Sequence, residues 1–182
     1  MSNLFLPPCP TSCSGSVAAV DFDDCAPEVH YGEVAKVYLG PTTIPTFDST
    51  SLAAWNTYLS DTVADKIRTL TTLGDMPEPT MTETPISGDR IVYGFKSFTL
   101  NFQIDETNDI NYNFMQMLEC PGKIKLWFET SDGILYGGND GLLVSVKVSQ
   151  VVPAERSAVV KIMVIATWKS LHSPARFVSP MY

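Results

Sequence analysis

Cys9, Cys13, Cys25 and His30 are the residues whose types and proximity in sequence could do metal chemistry. Zinc takes four nitrogen or sulfur ligands in a tetrahedron, and this set supplies four. Three, eleven and four residues intervene between successive members, which matches no compact pair of knuckles. The same residues therefore also read as incidental thiols, or as thiols with one disulfide, Cys13 with Cys25 being one pairing. Cys120 follows an apolar helical face and precedes Pro121 and Gly122. A buried or helix-end thiol is a simpler role for it than a nucleophile. No serine sits in a nucleophile-elbow pattern, and His30 and His172 are the only imidazoles. A hydrolytic triad lacks its parts. The expectation is a protein that is not an enzyme and needs no cofactor.

Gly137-Gly138-Asn139-Asp140-Gly141 has the glycines of a phosphate loop but not the Lys and Ser or Thr that follow one. It suits a turn with left-handed backbone dihedrals, which Gly and Asn adopt with least strain. Asp132, Asp140 and the group Asp105, Glu106 and Asp109 would coordinate calcium only if the fold brought them together, and their spacing is not that of a twelve-residue calcium loop. Solvated turns are the simpler reading. Phe98, Phe102, Trp127 and Tyr136 have the chemistry of a stacking platform for sugars or bases. Most of them fall within strand alternation, where aromatic residues pack the core. Trp127 in particular reads as buried under a helix or a neighbouring chain.

The elements that would position these residues centre on 90–143. Val92, Gly94, Lys96, Phe98, Leu100, Phe102 and Ile104 fall on one face of a period-two pattern, with Ser97, Thr99, Asn101 and Gln103 on the other. Ile110, Phe114, Met117 and Leu118 then repeat at helical spacing. A strand over 123–130 is reversed at Ser131-Asp132-Gly133, and Ile134 to Tyr136 follows it. Further strands are expected over 33–39, 66–73, 142–152 and 158–168, and a short helix around Leu52, Trp55, Tyr58 and Leu59. The 158–168 strand is apolar on one face and nearly so on the other, which suits a central position. Residues 1–30 read as an N-terminal arm, 31–170 as one β-rich domain with a proline-rich linker or pairing arm at 74–88, and 171–182 as a tail. The fold class expected is mainly β, an antiparallel sandwich or barrel with one or two flanking helices and extended arms.

At 182 residues the chain suffices for one buried core. No apolar run of about 18 residues is present, so no membrane span is expected. Charge is uneven: residues 1–87 hold 11 carboxylates against Lys36, Lys66 and Arg68, while residues 88–182 hold 9 of each sign. The whole formal charge of −8 thus belongs to the first half. Such a balance disfavours sequence-specific nucleic-acid binding.

The run Phe98-Thr99-Leu100-Asn101-Phe102-Gln103-Ile104-Asp105-Glu106-Thr107-Asn108-Asp109, the helix to Leu118, and the return from Lys125-Leu126-Trp127-Phe128-Glu129-Thr130 to Gly141 resemble structural proteins of tailed bacteriophages, tail tube subunits in particular. The likeness covers residues 91–168. It implies a homo-oligomer of stacked rings, commonly six-membered, whose strands join across subunits. It also implies assembly in the host cytoplasm, residence in the virion tail, contact with other tail proteins, and non-specific passage of DNA rather than binding. Under that likeness Phe98, Leu100, Phe102, Trp127, Pro77 and Pro79 are interface candidates, and an acidic or neutral lumen would let DNA slide. The cysteine-rich beginning departs from it and leaves a terminator, connector or collar role as an alternative. A non-enzymatic glycan-binding module is the competing class, with Trp127 or Tyr136 exposed on a cleft.

Overall fold

The computed structural model describes residues 32–60, 66–86, 90–120, 122–155 and 158–182. Residues Tyr31–Tyr182 form one compact unit. Nine strands and two helices are described: β1 (Val34–Gly40), α1 (Leu52–Leu59), β2 (Arg68–Asp75), β3 (Thr80–Ile86), β4 (Arg90–Ile104), α2 (Asp109–Leu118), β5 (Lys123–Thr130), β6 (Ile134–Tyr136), β7 (Leu142–Val151), β8 (Lys161–Ser170) and β9 (Arg176–Val178). All strand pairings are antiparallel. The order β1-β2-β4-β8-β7-β5 returns to β1 through a β1–β5 ladder, so six strands close into a barrel. The mainly β architecture with flanking helices is the one the alternation predicts.

Barrel closure follows from the alternation itself. Leu100 pairs with Ala166 and Ala166 with Val146, while Phe102 pairs with Val164 and Val164 with Val148. Each set forms an apolar layer facing inward, with the small Ala166 beside larger neighbours. Phe98, Leu100, Phe102, Leu126, Phe128, Val144 and Val164 are all buried in this core. Each such side chain contributes about 1.5–3 kcal/mol on burial. Met115 and Leu118 of α2 join the same core. Asn108 starts that helix by accepting a 2.9 Å hydrogen bond from the Asn111 amide, the usual way an N-cap satisfies an orphan donor.

A second core lies on the other side of β1 and β5. Tyr38 and Trp127 are paired across that ladder and are covered by Trp55 of α1, by Ile44 and Phe47 of the preceding loop, and by Leu135. The rings meet edge to face: Phe47 and Trp55 lie 5.0 Å apart at 90°, and Trp55 and Trp127 5.5 Å apart at 77°. Such geometry suits the ring quadrupoles.

Two segments take a definite form in the structure. The proline-rich 74–88 region contains β3, which pairs with the first half of β4. The 171–182 region is not a loose tail. Its β9 pairs with β6, and Ser179 behind it is buried.

Candidate assembly surface

Cys9, Cys13, Cys25 and His30 lie outside the described residues. Among the described residues no three His, Cys, Asp or Glu side chains converge as metal ligands. Asp132 accepts a hydrogen bond from Thr130, Asp140 accepts one from Thr46, and Asp105 lies 4.0 Å from Lys161. These carboxylates engage separate partners, Asp132 within its own turn and Asp140 and Asp105 across the fold.

The Gly-rich segment wraps an indole. Gly137, Gly138 and Gly141 have φ of 127°, 64° and 71°. A Cβ on Gly137 or Gly141 would come within 2.6 Å of the Trp127 ring. Trp127 Nε1 donates to the Gly138 carbonyl at 2.9 Å, and Asn139 Oδ1 accepts from both the amide and the hydroxyl of Ser49. The glycines therefore let the loop close over Trp127 and latch it to the α1 side. No open cradle remains for a phosphate.

Of the residues expected at an oligomer interface, Phe98, Leu100, Phe102 and Trp127 are committed to the subunit's own cores and have essentially no accessible surface. The apolar alternation that singled them out reports burial, and the cover comes from the same chain. Pro77 and Pro79 stand on the β2–β3 connection at the surface. Tyr136 stacks on Phe128 at 4.8 Å, so neither it nor Trp127 offers a platform for sugars. Cys120 is exposed at the end of α2 rather than buried. It borders a groove of about 360 Å³ with Leu39, Phe114 and Met117, and with Lys66 and Arg68. Lost solvation, and then the Arg68 charge, hold the Lys66 amine below its ordinary range. The groove has no acid–base pair.

The conspicuous uncovered surface is the β3–β4 hairpin. All seven residues of β3 are exposed, and Met81, Ile86, Tyr93 and Phe95 are 41, 44, 59 and 55% exposed. Among the described residues β3 pairs with β4 alone, so its other edge is open. Thr80 to Ile86 runs alongside Arg90 to Ser97, most of it beyond the span of β4 that pairs with β8 in the barrel, the two overlapping only at Lys96 and Ser97. Sequence alternation could not reveal this strand, because no residue in it is buried.

A buried polar cluster also escaped the sequence. Glu129 is 1% exposed and accepts from Lys36 Nζ at 2.9 Å, Tyr38 Oη at 3.0 Å and Ser179 Oγ at 2.6 Å. Burial first, then the Glu129 charge and hydrogen bond, raise the Tyr38 phenol well above its usual value. The cluster ties β1, β5 and the C-terminal segment together. The Glu129 carboxylate is buried, while Lys36 reaches the surface.

The class these observations define is a closed six-stranded antiparallel barrel with a projecting apolar hairpin. No protein-family model matches the chain, and no curated protein sequence is significantly similar to it.

Proposed function

We propose that this chain is a virion structural protein of a tailed bacteriophage, a tail tube subunit that joins copies of itself into stacked rings forming a DNA conduit. The observation that carries the reading is the β3–β4 hairpin, with its exposed Met81, Ile86, Tyr93 and Phe95. Closure of the barrel removes the edges of six strands, yet among the described residues one edge of the hairpin is unpaired and its apolar side chains are exposed. A lone two-stranded hairpin is marginal in water. This one exposes apolar side chains on both of its faces, Tyr93 on one and Ile86 on the other, which suits contact with another chain. A hairpin of one copy seated on a different surface of the next gives a head-to-tail contact, and such contacts close into rings. The resemblance of residues 91–168 to tube subunits supports the same arrangement.

Negative-stain electron microscopy of the purified protein over a range of concentrations, with native mass on the same samples, tests this. Rings or hollow tubes are expected. A strict monomer at high concentration overturns the tube reading.

A further inference from the structure

We propose that the uncovered outer face of β4, β8 and β7, with the Lys123 end of β5, is a low-affinity contact surface for the phosphodiester backbone of DNA, centred on Lys123, Lys147 and Lys169. The choice of DNA as the polyanion rests on the conduit reading above.

The face is assembled by register. Lys123 pairs with Ser145, Ser145 with Thr167 and Thr167 with Thr99, which makes one row across four strands. Lys147 lies two residues beyond Ser145 on β7, opposite Ile165. Lys169 lies two residues beyond Thr167 on β8, opposite Ser97. With strands about 4.8 Å apart and a rise of about 3.4 Å per residue, the three lysine Cα atoms fall within roughly 9 Å of that of Ser145. All three side chains are exposed. Lys123 and Lys169 flank a trough of about 460 Å³ into which Ser97, Thr99, Ser145 and Thr167 also open, beside the exposed Leu143.

Charge is segregated here against the sign of the whole protein. The chain carries −8 overall, yet 97–104, 123–128, 142–151 and 161–170 contain no carboxylate. Asp105 follows the end of β4 and lies beside Lys161. The face on which the polar side of the long strand lies therefore carries lysines and hydroxyls, with Leu143 and Ile165 exposed among them, in contrast to the acidic or neutral lumen expected from net charge. Screening over about 8 Å at physiological salt leaves this local patch, rather than the distant carboxylates, to govern contact.

The chemistry matches a backbone and not a base sequence. Lysine is a hydrated point charge on a flexible stem, which can pass from one phosphate to the next without a fixed geometry. Serine and threonine hydroxyls add donors to phosphate oxygens, contacts that carry no sequence information. Three cations per copy, repeated around a ring, would hold DNA near the axis while each contact stays weak.

The test uses the full chain, as assembled in solution, and a fluorescent duplex of scrambled sequence read by anisotropy. A variant with Lys123→Gln, Lys147→Gln and Lys169→Gln is compared with one that loses the same charge elsewhere through Lys66→Gln, Arg68→Gln and Arg176→Gln. For three neutralised phosphates, raising salt from about 50 to about 200 mM lowers wild-type affinity about 40-fold. The face variant is expected to lose both the low-salt affinity and this salt dependence, while the control variant keeps both. No wild-type binding at low salt, or equal loss in the two variants, overturns the proposal. Micrographs of the same samples separate the two readings. Rings that do not bind DNA remove this surface and leave the tube; binding by a protein that forms no rings keeps the surface and removes the tube.

Discussion

Ser179 Oγ donates a 2.6 Å hydrogen bond to Glu129 Oε2 across fifty residues of sequence, and both side chains are buried. The bond explains why the C-terminal segment is part of the fold. The Ser179 amide also donates to the Gly133 carbonyl at 2.7 Å, so the segment is held by one charged acceptor and one backbone acceptor. Ser179→Ala is expected to lower stability by about 2 kcal/mol, as for a hydrogen bond to a charged group. Glu129→Ala costs more, about 3–5 kcal/mol, because it strands the partners of a buried charge. Urea unfolding of the two variants checks both the size and the order.

Tyr38 gives the fold an alkaline limit. Its phenol is held above the ordinary value of 10.0 by burial and by Glu129, so the folded state keeps a proton that the unfolded state releases. Its contribution is fully present below about pH 10 and is lost as pH rises through the folded value. The loss proceeds at up to about 1.4 kcal/mol per pH unit. Tyr38→Phe is expected to remove this slope above pH 10 in a series of denaturant titrations, leaving a smaller, pH-independent loss from the missing hydroxyl.

The loop over Trp127 predicts a contrast among three glycines. Gly137→Ala and Gly141→Ala place a Cβ within 2.6 Å of the indole, whereas Gly138→Ala meets only the Ala175 Cβ at 3.4 Å. All three pay for a positive φ, about 1–2 kcal/mol. The first two add overpacking of about 1–3 kcal/mol. Thermal unfolding followed by tryptophan fluorescence is expected to show lower midpoints, and an altered folded-state spectrum, for Gly137→Ala and Gly141→Ala than for Gly138→Ala.

The bounds of β5 and β6 were legible residue for residue, because alternation on both sides of Ser131-Asp132-Gly133 leaves one register. The helix to Leu118 was legible from the helical repeat of Ile110, Phe114, Met117 and Leu118, whereas its Asn108 cap was not singled out. Strand β3 was legible only as one of two options. Its β-branched residues allowed a pairing arm, but it buries nothing and carries Pro85, so no alternation decided between arm and linker. The place of 171–182 depended on Glu129, a distant partner that no local pattern signals. The expected interface residues Phe98, Leu100, Phe102 and Trp127 failed for a related reason: periodicity says that a face is covered but not by which chain. The lysine face required the strand order, since Lys123, Lys147 and Lys169 are neighbours only after β5, β7 and β8 have paired.

The hairpin variant Tyr93→Ser with Phe95→Ser separates assembly from folding. Both side chains are more than half exposed, so the change in subunit stability is expected to stay within about 0.5 kcal/mol. Phe98→Ala, further along the same strand, removes a buried ring and is expected to cost about 3–5 kcal/mol. Denaturant midpoints of the two proteins check this.

Sedimentation velocity of the wild-type chain beside the Tyr93→Ser and Phe95→Ser variant, over a concentration series, addresses the central claim most directly. A closed ring, six-membered on the tube reading, is predicted for the wild type, and a folded monomer for the variant. A wild-type chain that stays monomeric throughout, or a variant that assembles as well as the wild type, would contradict a ring built through the β3–β4 hairpin.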